Sequence, residues 1–154
     1  MSAVHEKLPA LAAKYGGEAD TSPEEFPVLY LPRERLIEAG REFQEDPDLA
    51  INHLSDLCGL DLGDHLEVVY HFYSYSKGHQ LKVKVKLDSE DKKLPTITPL
   101  WSTADWHERE VYDMFGIVFE GHPNLKRVLL AEDFPGHPLL KSFPHGNMHE
   151  YLVQ

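Results

Sequence analysis

The densest group of chemically active side chains in this sequence lies in the stretch WHEREVYDMFG, residues 106–116. A zinc peptidase would need the pattern His-Glu-x-x-His, in which two histidines share one helix face and a glutamate acts as general base. His107 and Glu108 begin that pattern, but Val111 stands where the second histidine is required. The stretch therefore does not predict zinc-dependent hydrolysis.

The remaining histidines leave a free-standing metal-dependent enzyme open as a weaker alternative. The chain has ten histidines, and His107, His122 and His137 are the candidate ligands for such an enzyme. His145 and His149 have the spacing of a helical pair, but a glycine between them weakens the helix and no other ligand is implied nearby. We expect no metal site, no cofactor-binding residue and no catalytic residue in this chain.

The charged residues of the same stretch have helical spacing, which argues against acid–base catalysis. Asp105, Arg109 and Asp113 lie at i, i+4 and i+8, so Arg109 is expected to bridge both aspartates. A bridging guanidinium would keep both carboxylates ionised, whereas a general base needs a pKa near the working pH. Glu108 is expected to meet Tyr112 on a neighbouring stripe. The pattern predicts a rigid helix that presents a fixed face to another protein.

Composition excludes several other functions. The single cysteine, Cys58, allows no disulfide within the chain, and an ordinary iron–sulfur cluster takes about four cysteines. The formal net charge is −11, with the acidic excess in the N-terminal half, so a nucleic acid is not expected as a partner. The sequence has no phosphate-binding glycine loop and no apolar run long enough to cross a membrane. Any contact with a membrane is therefore expected to be made through a partner.

Hydrophobic periodicity predicts the elements that must position these residues. Apolar residues alternate with lysines over 79–89, which is typical of a strand with one buried face. Ser102 or Thr103 is expected to cap the helix that carries the dense stretch, and Gly116 is expected to end it. Cys58 is expected to be a small buried hydrophobe. The predicted elements are a helix at 3–15 interrupted at Pro9, a strand at 26–31, helices at 32–46 and 49–58, a hairpin of strands at 66–76 and 79–89, an extended segment at 94–101 and a helix at 103–115.

The character of the sequence changes beyond Gly116. Glycines and prolines become frequent, and only one short strand, at 126–130, is predicted. The segment is too apolar for a solvated linker, so we expect it to lie on another protein. The fold class predicted for the chain is α+β, a small mostly antiparallel sheet packed against helices, with an irregular C-terminal extension. The expected division is an α+β domain at 1–116 and an irregular docking tail at 117–154.

The region from Trp106 to Pro144 resembles the signature of the 30-kDa subunit of respiratory complex I. In that family the downstream segment reads Gly-His-Pro-Leu-Arg-Lys-Asp-Phe/Tyr-Pro, and here Leu140 replaces the arginine and Ser142 the aspartate. These two replacements remove charges from a partner contact. The residues that match the family motif are Glu108, Arg109, Glu110, Asp113, Met114, Phe115, His122, Lys126, Val128 and Leu129.

The resemblance implies a structural subunit of the peripheral arm of a proton-translocating NADH-quinone oxidoreductase, bracing its quinone-reducing core. It implies no redox centre in this chain, with FMN, iron–sulfur clusters and quinone held by partner subunits. The implied partners are the 49-kDa-type subunit (the D subunit) and the cluster-bearing B and I subunits, on the cytoplasmic side of the bacterial inner membrane. The expected docking residues are Asp105, Trp106, Glu108, Arg109, Glu110, Asp113, Phe115, His122, Lys126, Arg127, His137, Pro138 and Lys141.

Two further alternatives stay open at the level of sequence. Related modules occur in energy-converting hydrogenases and in other complex I-like dehydrogenases, which would keep the fold and change the assembly. A generic acidic adaptor is the other alternative, and it predicts no association with proteins that carry clusters.

Overall fold

A computed structural model describes residues 2–22 and 26–144 of the chain. It has three α-helices and seven strands in this part, with a single 3₁₀ turn at Arg33–Arg35 before the second helix. In chain order the elements are α1 (Ala3–Tyr15), β1 (Glu18–Asp20), β2 (Val28–Tyr30), α2 (Leu36–Glu45), β3 (His53–Asp61), β4 (Leu66–Ser74), β5 (His79–Leu87), β6 (Lys93–Pro95), α3 (Ala104–Phe115) and β7 (Val118–Glu120).

Five strands form one sheet in the order β1-β2-β5-β4-β3. All neighbouring pairs are antiparallel except β2 and β5, which run parallel. The predicted hairpin is confirmed as β4 and β5, and its alternation is confirmed too, because the apolar residues of β5 are buried while its lysines reach solvent. The α+β class and the mostly antiparallel sheet predicted from the sequence are therefore confirmed.

The helix predicted at Leu49–Cys58 is wrong, since residues 53–61 form the edge strand β3. The apolar residues Leu54 and Leu57 are three apart, which is helical spacing, but a register shift between Leu54 and Asp56 lies between them. Such a β-bulge adds one residue to the strand, so two side chains three apart face the same way. The bulge therefore gives this strand the spacing of apolar residues that is typical of a helix, which is why a helix was predicted.

Helix α1 runs without interruption from Ala3 to Tyr15, so the predicted break at Pro9 is wrong. Pro9 is exposed, and its missing N–H weakens the helix locally. The opposite face of α1 buries a run of apolar side chains, which stabilises the helix across the proline. These side chains are Val4, Leu8, Leu11, Ala12 and Tyr15.

A single cluster of buried apolar residues joins the sheet to all three helices. Phe72 of β4 lies within it, with ring centroids 6.0 Å from Phe43 of α2 and 4.6 Å from Trp101. Helix α3 packs against β3, where an ideal Cβ at Gly59 would lie 2.8 Å from the Phe115 ring. The absence of a side chain at Gly59 allows this close approach. None of the helices in the described residues is long and apolar enough to cross a membrane.

Candidate functional site

Helix α3 carries the residues that the sequence singled out, and its termini differ in how they are capped. Gly116 has φ 72°, and its N–H donates to the Tyr112 carbonyl at 2.8 Å, so the predicted left-handed C-cap is confirmed. The predicted side-chain N-cap is wrong, because Thr103 is itself in the helical region and makes no side-chain cap bond. The chain turns before the helix begins, and the N–H of Ala104 already donates to the Trp101 carbonyl at 3.0 Å.

Asp113 is the anchor of the segment that follows the helix. Its side chain is fully buried, and Oδ1 accepts a hydrogen bond from Arg127 Nη1 at 2.7 Å. Its Oδ2 accepts from the N–H groups of Val128, Leu129 and Leu130 at 3.2, 2.9 and 3.0 Å. Burial alone would raise its pKa, but the Leu130 N–H, the Arg127 guanidinium and the other two N–H groups together lower the pKa of Asp113 below its ordinary value. The carboxylate therefore stays charged and holds a turn of backbone in place.

Arg127 is the second half of this anchor. Its Nη2 donates to the carbonyl oxygens of Phe134 and Gly136 at 3.0 and 2.9 Å, while Nη1 binds Asp113. A guanidinium offers five donors in a rigid plane, so one arginine can join three parts of the chain. Arg127 thus ties α3 to two positions of the extension.

Arg109 does not bridge the two aspartates, so that prediction is wrong. Its Nε donates to the Lys126 carbonyl at 3.1 Å and its Nη2 to the Arg127 carbonyl at 3.3 Å, and its guanidinium lies 4.7 Å from the Trp106 ring centroid. No ion pair joins Arg109 to Asp105 or Asp113 in the described structure. Helical spacing put these residues on one stripe, but the extension supplies nearer partners for each of them.

Glu108 faces the interior and does not meet Tyr112 as predicted. It is fully buried and accepts hydrogen bonds from the Thr96 hydroxyl at 2.5 Å and from the Ile97 N–H at 2.8 Å. Burial raises the pKa of Glu108 to about 7, the two hydrogen bonds oppose that rise, and the nearby Asp105 adds to it. The partly protonated carboxyl group therefore links α3 to the segment after β6 through two hydrogen bonds.

The three histidines of the weaker alternative, a free-standing metal-dependent enzyme, are spread over three places. His122 lies against Glu108 and Asp105, and its Nε2 donates to the Asp105 carbonyl at 3.2 Å. His137 donates from Nδ1 to the Asp113 carbonyl at 3.0 Å, while His107 Nδ1 lies 3.6 Å from Asp56. The described residues do contain one group of three possible metal ligands, but it lies on the sheet and comprises Asp56, Cys58 and His71. Sequence reasoning missed this group because its members are brought together by strand pairing.

The extension after β7 folds back on its own chain as far as residue 144. The strand predicted at 126–130 is wrong, because the N–H groups at 128–130 bind the Asp113 carboxylate and pair with no neighbouring strand. Further along, the N–H of Leu139 donates to the Met114 carbonyl at 3.0 Å and that of Lys141 to Asp61 Oδ2 at 2.9 Å. The helical pair predicted at His145 and His149 lies outside the described residues.

The 13 expected docking residues therefore divide into three groups by exposure. Glu108, Arg109, Asp113 and Phe115 are buried. The residues that are partly exposed as whole residues are Asp105, His122, Arg127, His137 and Pro138. The exposed residues are Trp106, Glu110, Lys126 and Lys141.

Exposed apolar side chains lie along α3 and the segment bound to it. Trp106 is 63% exposed, Leu129 64% and Leu139 53%. Only Trp106 was expected from the sequence to take part in docking. The N–H groups of Leu129 and Leu139 are held by Asp113 and by the Met114 carbonyl, while their side chains face solvent. Large apolar groups held in solvent by a rigid backbone are typical of a protein–protein interface.

Comparison with known proteins agrees with the resemblance in the sequence. The model of the family "Respiratory-chain NADH dehydrogenase, 30 Kd subunit" matches residues 29–149. One relative, the C subunit of the NADH-quinone oxidoreductase of Roseiflexus sp. (strain RS-1), is 45% identical over 121 residues, which are 77% of this chain and 70% of the relative. A second C subunit of an NADH-quinone oxidoreductase, from Rhizobium meliloti (strain 1021), is 39% identical over 142 residues, covering 89% of this chain and 78% of that protein.

Two solved structures extend the comparison to the fold. The trypsin-resistant fragment (1–134) of Nqo5 is 36% identical, with a TM-score of 0.69 over 79% of this chain and 98% of the fragment. A chain of the archaeal membrane-bound sulfane sulfur reductase has a TM-score of 0.73 over 97% of this chain and 92% of that chain, but it is 19% identical and so shows the fold alone. The match over residues 29–149 and the identity to both oxidoreductase relatives show that the chain belongs to the family of the 30-kDa subunit of the respiratory-chain NADH dehydrogenase, complex I.

Proposed function

We propose that this chain is a structural subunit of the peripheral arm of a proton-translocating NADH-quinone oxidoreductase, in which it braces the quinone-reducing core. The observation that carries the proposal is the rigid display of Trp106, Leu129 and Leu139 in solvent beside α3. Their backbone is fixed by the buried anchor of Asp113 and Arg127. An interface that is already ordered before association loses little conformational entropy when the partner binds.

The charges of α3 favour a bracing role over a catalytic one. Asp113 and Arg127 satisfy one another, and Arg109 donates to two backbone carbonyls of the same chain. Glu108 has the raised pKa of a proton carrier, but it is fully buried and both of its oxygens accept hydrogen bonds from the chain. None of these groups is free to reach a substrate, so we assign no catalytic residue and no redox centre to this chain.

The partners proposed are the 49-kDa-type subunit (the D subunit) and the cluster-bearing B and I subunits. In this arrangement FMN, the iron–sulfur clusters and quinone are bound by other subunits, and this chain reaches the cytoplasmic side of the bacterial inner membrane only as part of the complex. The names of the relatives support the assembly, since they are subunits of NADH-quinone oxidoreductases. No nucleic acid is expected, because the net charge of −11 would repel a phosphate backbone.

The test removes the exposed apolar groups and leaves the anchor intact. A chain with Trp106→Ala and Leu129→Ser replaces the native copy, and the complex is isolated through another subunit. We expect the variant chain to co-purify at least about tenfold less, because hot-spot losses near 1.4 kcal/mol each act on the same interface. Quinone reductase activity should fall in proportion to the missing chain.

Tyr75→Ala is the matched control, since Tyr75 is an aromatic residue that is 67% exposed at the far end of the β4–β5 hairpin. Circular dichroism of the purified chains should be the same for both variants and the native protein. Full co-purification of the Trp106/Leu129 variant would contradict the proposal, as would an equal loss with the Tyr75 variant.

The rival assembly, an energy-converting hydrogenase or another complex I-like dehydrogenase, predicts different companions for the same fold. The fold is shared with a chain of the sulfane sulfur reductase. Mass spectrometry of the proteins that co-purify from native membranes separates the two, because NADH-binding subunits are expected here and their replacement by hydrogenase subunits would favour the rival.

A further inference from the structure

Three side chains with suitable metal-binding atoms meet on the sheet. They are Asp56 and Cys58 of β3 and His71 of β4, and their ligand atoms all lie within 4.8 Å of one another. Asp56 is exposed, and the other two are partly buried. A carboxylate, a thiol and an imidazole that converge in this way offer a mixed set of oxygen, sulfur and nitrogen ligands.

Strand pairing explains why these residues converge. Asp56 lies directly opposite His71 in the β3–β4 register, so their side chains share one face of the sheet. Cys58 is two residues beyond Asp56 and therefore points to the same face. The β-bulge between Leu54 and Asp56 sets this register, because it shifts the following residues by one place relative to β4. The set is thus held by rigid backbone.

Helix α3 adds a histidine beside Asp56, outside the group of three ligand atoms that lie close together. His107 Nδ1 lies 3.6 Å from Asp56 Oδ1, and the His107 side chain is 31% exposed. Zinc in proteins is usually bound by four ligands in a tetrahedron, with bonds of about 2.0–2.3 Å. Ligand atoms in such a site are about 3.5 Å apart by that geometry, so shifts of about 1 Å in the ligand atoms of Asp56, Cys58 and His71 would bring them to that spacing.

The charges around the group are mixed. Asp56 and Glu110 are negative neighbours of Cys58, whereas Lys82 and Lys84 are positive neighbours of His71. Lys82, which lies opposite His71 on β5, and Lys84 both oppose a cation here.

We infer that Asp56, Cys58 and His71 form a binding site for a divalent transition metal of the zinc class, with His107 as the neighbour that positions Asp56. On binding, the Cys58 S–H releases its proton to solvent, a metal–thiolate bond forms, and no electron is transferred. Thiolate and imidazole ligands select zinc-like ions, whereas magnesium and calcium need an all-oxygen shell. The bound ion would join the edge strand β3 to β4. This site is independent of the proposed docking function, and it would replace the expectation from sequence that the chain has no metal site.

The test titrates the full chain with Co²⁺, which takes the place of zinc and absorbs light when bound to a thiolate. The chain is first freed of metal with a chelator and kept reduced. We expect one equivalent to bind with a thiolate-to-cobalt absorption band, Zn²⁺ to abolish the band by displacement, and excess Mg²⁺ to leave it unchanged. Absence of the band would overturn the inference.

Single substitutions locate the ion. Cys58→Ser should abolish the band, and His71→Asn and His107→Asn should each weaken Co²⁺ binding by at least about tenfold, because even indirect partners of a metal contribute that much. His53→Asn, at the other end of β3, is the matched control and should bind as the native chain does. Stoichiometric binding that survives both Cys58→Ser and His71→Asn would overturn the inference, and native affinity in His107→Asn would show that His107 does not position Asp56.

Lys82→Gln separates loss of binding from loss of folding. Removing one opposing charge should tighten Co²⁺ binding, and a damaged fold could not produce that gain. Unchanged or weaker binding in a Lys82→Gln chain with native circular dichroism would contradict the placement of the ion beside His71.

Discussion

The β4–β5 hairpin and the extension at residues 121–144 are held in place by opposite means. In the hairpin, backbone pairs with backbone along nine residues of each strand, and one face is buried against the helices. In the extension, order depends on side chains that bind backbone groups, chiefly the buried pair of Asp113 and Arg127. A repeating pattern spreads its stabilisation over many residues, whereas a polar anchor concentrates it in two. We therefore expect a substitution in the hairpin to destabilise the whole fold. A substitution in the anchor should instead release the extension alone.

The largest effect is expected for Phe72→Ala in the hairpin. Phe72 is 2% exposed and packs against Phe43 and Trp101, so its loss leaves a cavity and should lower the free energy of unfolding by about 4 kcal/mol. Urea denaturation followed by Trp fluorescence and by circular dichroism should show both signals shifting together. Tyr75→Ala, at the exposed end of the same hairpin, should change stability by less than about 0.5 kcal/mol. A Phe72 variant in which only the extension loses its order would contradict the expected difference between the two regions.

The next effect is expected for Asp113→Asn in the extension. The substitution leaves Arg127 without its buried counter-charge and should cost about 3 kcal/mol, concentrated in the segment that the pair anchors. Limited proteolysis should cut within 121–144 much faster, while the circular dichroism of the sheet is retained. Asp133→Asn, an exposed aspartate in the same segment, is the control and should be cut at the native rate. Native protease resistance in the Asp113 variant would show that the anchor is not the cause of order.

Gly59→Ala tests the contact between β3, which pairs with the hairpin, and α3, which anchors the extension. A Cβ at Gly59 would lie 2.8 Å from the Phe115 ring, so the ring and α3 must shift, at a cost of about 2 kcal/mol. Thermal unfolding measures the loss, and Ser55→Ala, an exposed position on the same strand, controls for substitution in β3. If Gly59→Ala were as stable as the native chain, α3 would not depend on close approach to the sheet.

The smallest effect is expected from the titration of Glu108. Its pKa rises from 4.5 in the unfolded chain to about 7 in the folded one, because burial disfavours the charged form. Between these values the folded state binds more protons than the unfolded state, so Glu108 makes stability fall as pH rises from about 4.5 to 7 and contributes no further change above that. The full shift corresponds to about 3 kcal/mol, and relaxation of the surroundings reduces the expected change to the order of 1 kcal/mol.

Glu108→Gln keeps an oxygen for the Ile97 N–H and removes the titration. The free energy of unfolding, measured from pH 5 to 8, should therefore fall less steeply in the variant than in the native chain. His122 and Asp105 also face this carboxyl group, and both remain in the variant. An identical slope in the two proteins would show that Glu108 does not titrate in this range.

Elements that are held by interactions between residues close in sequence could be predicted, whereas contacts between distant residues could not. The hairpin, α2, the C-cap at Gly116 and the α+β class were predicted correctly, because periodicity and turn chemistry act between residues close in sequence. Strand β3 was predicted as a helix because its bulge hides the alternation. The partners of Arg109 and Glu108 were wrong, because the true ones lie 11–18 residues away and no local rule selects them. The division at residue 116 and the docking role of the expected residues stay predictions.

The sequence by itself determined the family, the fold class and the identity of the helix that carries the signature, because these depend on local patterns and on a long motif. Tertiary structure decided what the signature residues do. In the folded chain Glu108 points inward and accepts a hydrogen bond from Thr96, and Asp113 pairs with Arg127. Leu129 and Leu139 lie in solvent. The physical reason is competition, since a charged group pairs with the best donors that the folded chain brings near it. Proximity in space, set by the packing of α3 on the sheet, is not encoded in the spacing of residues along the helix.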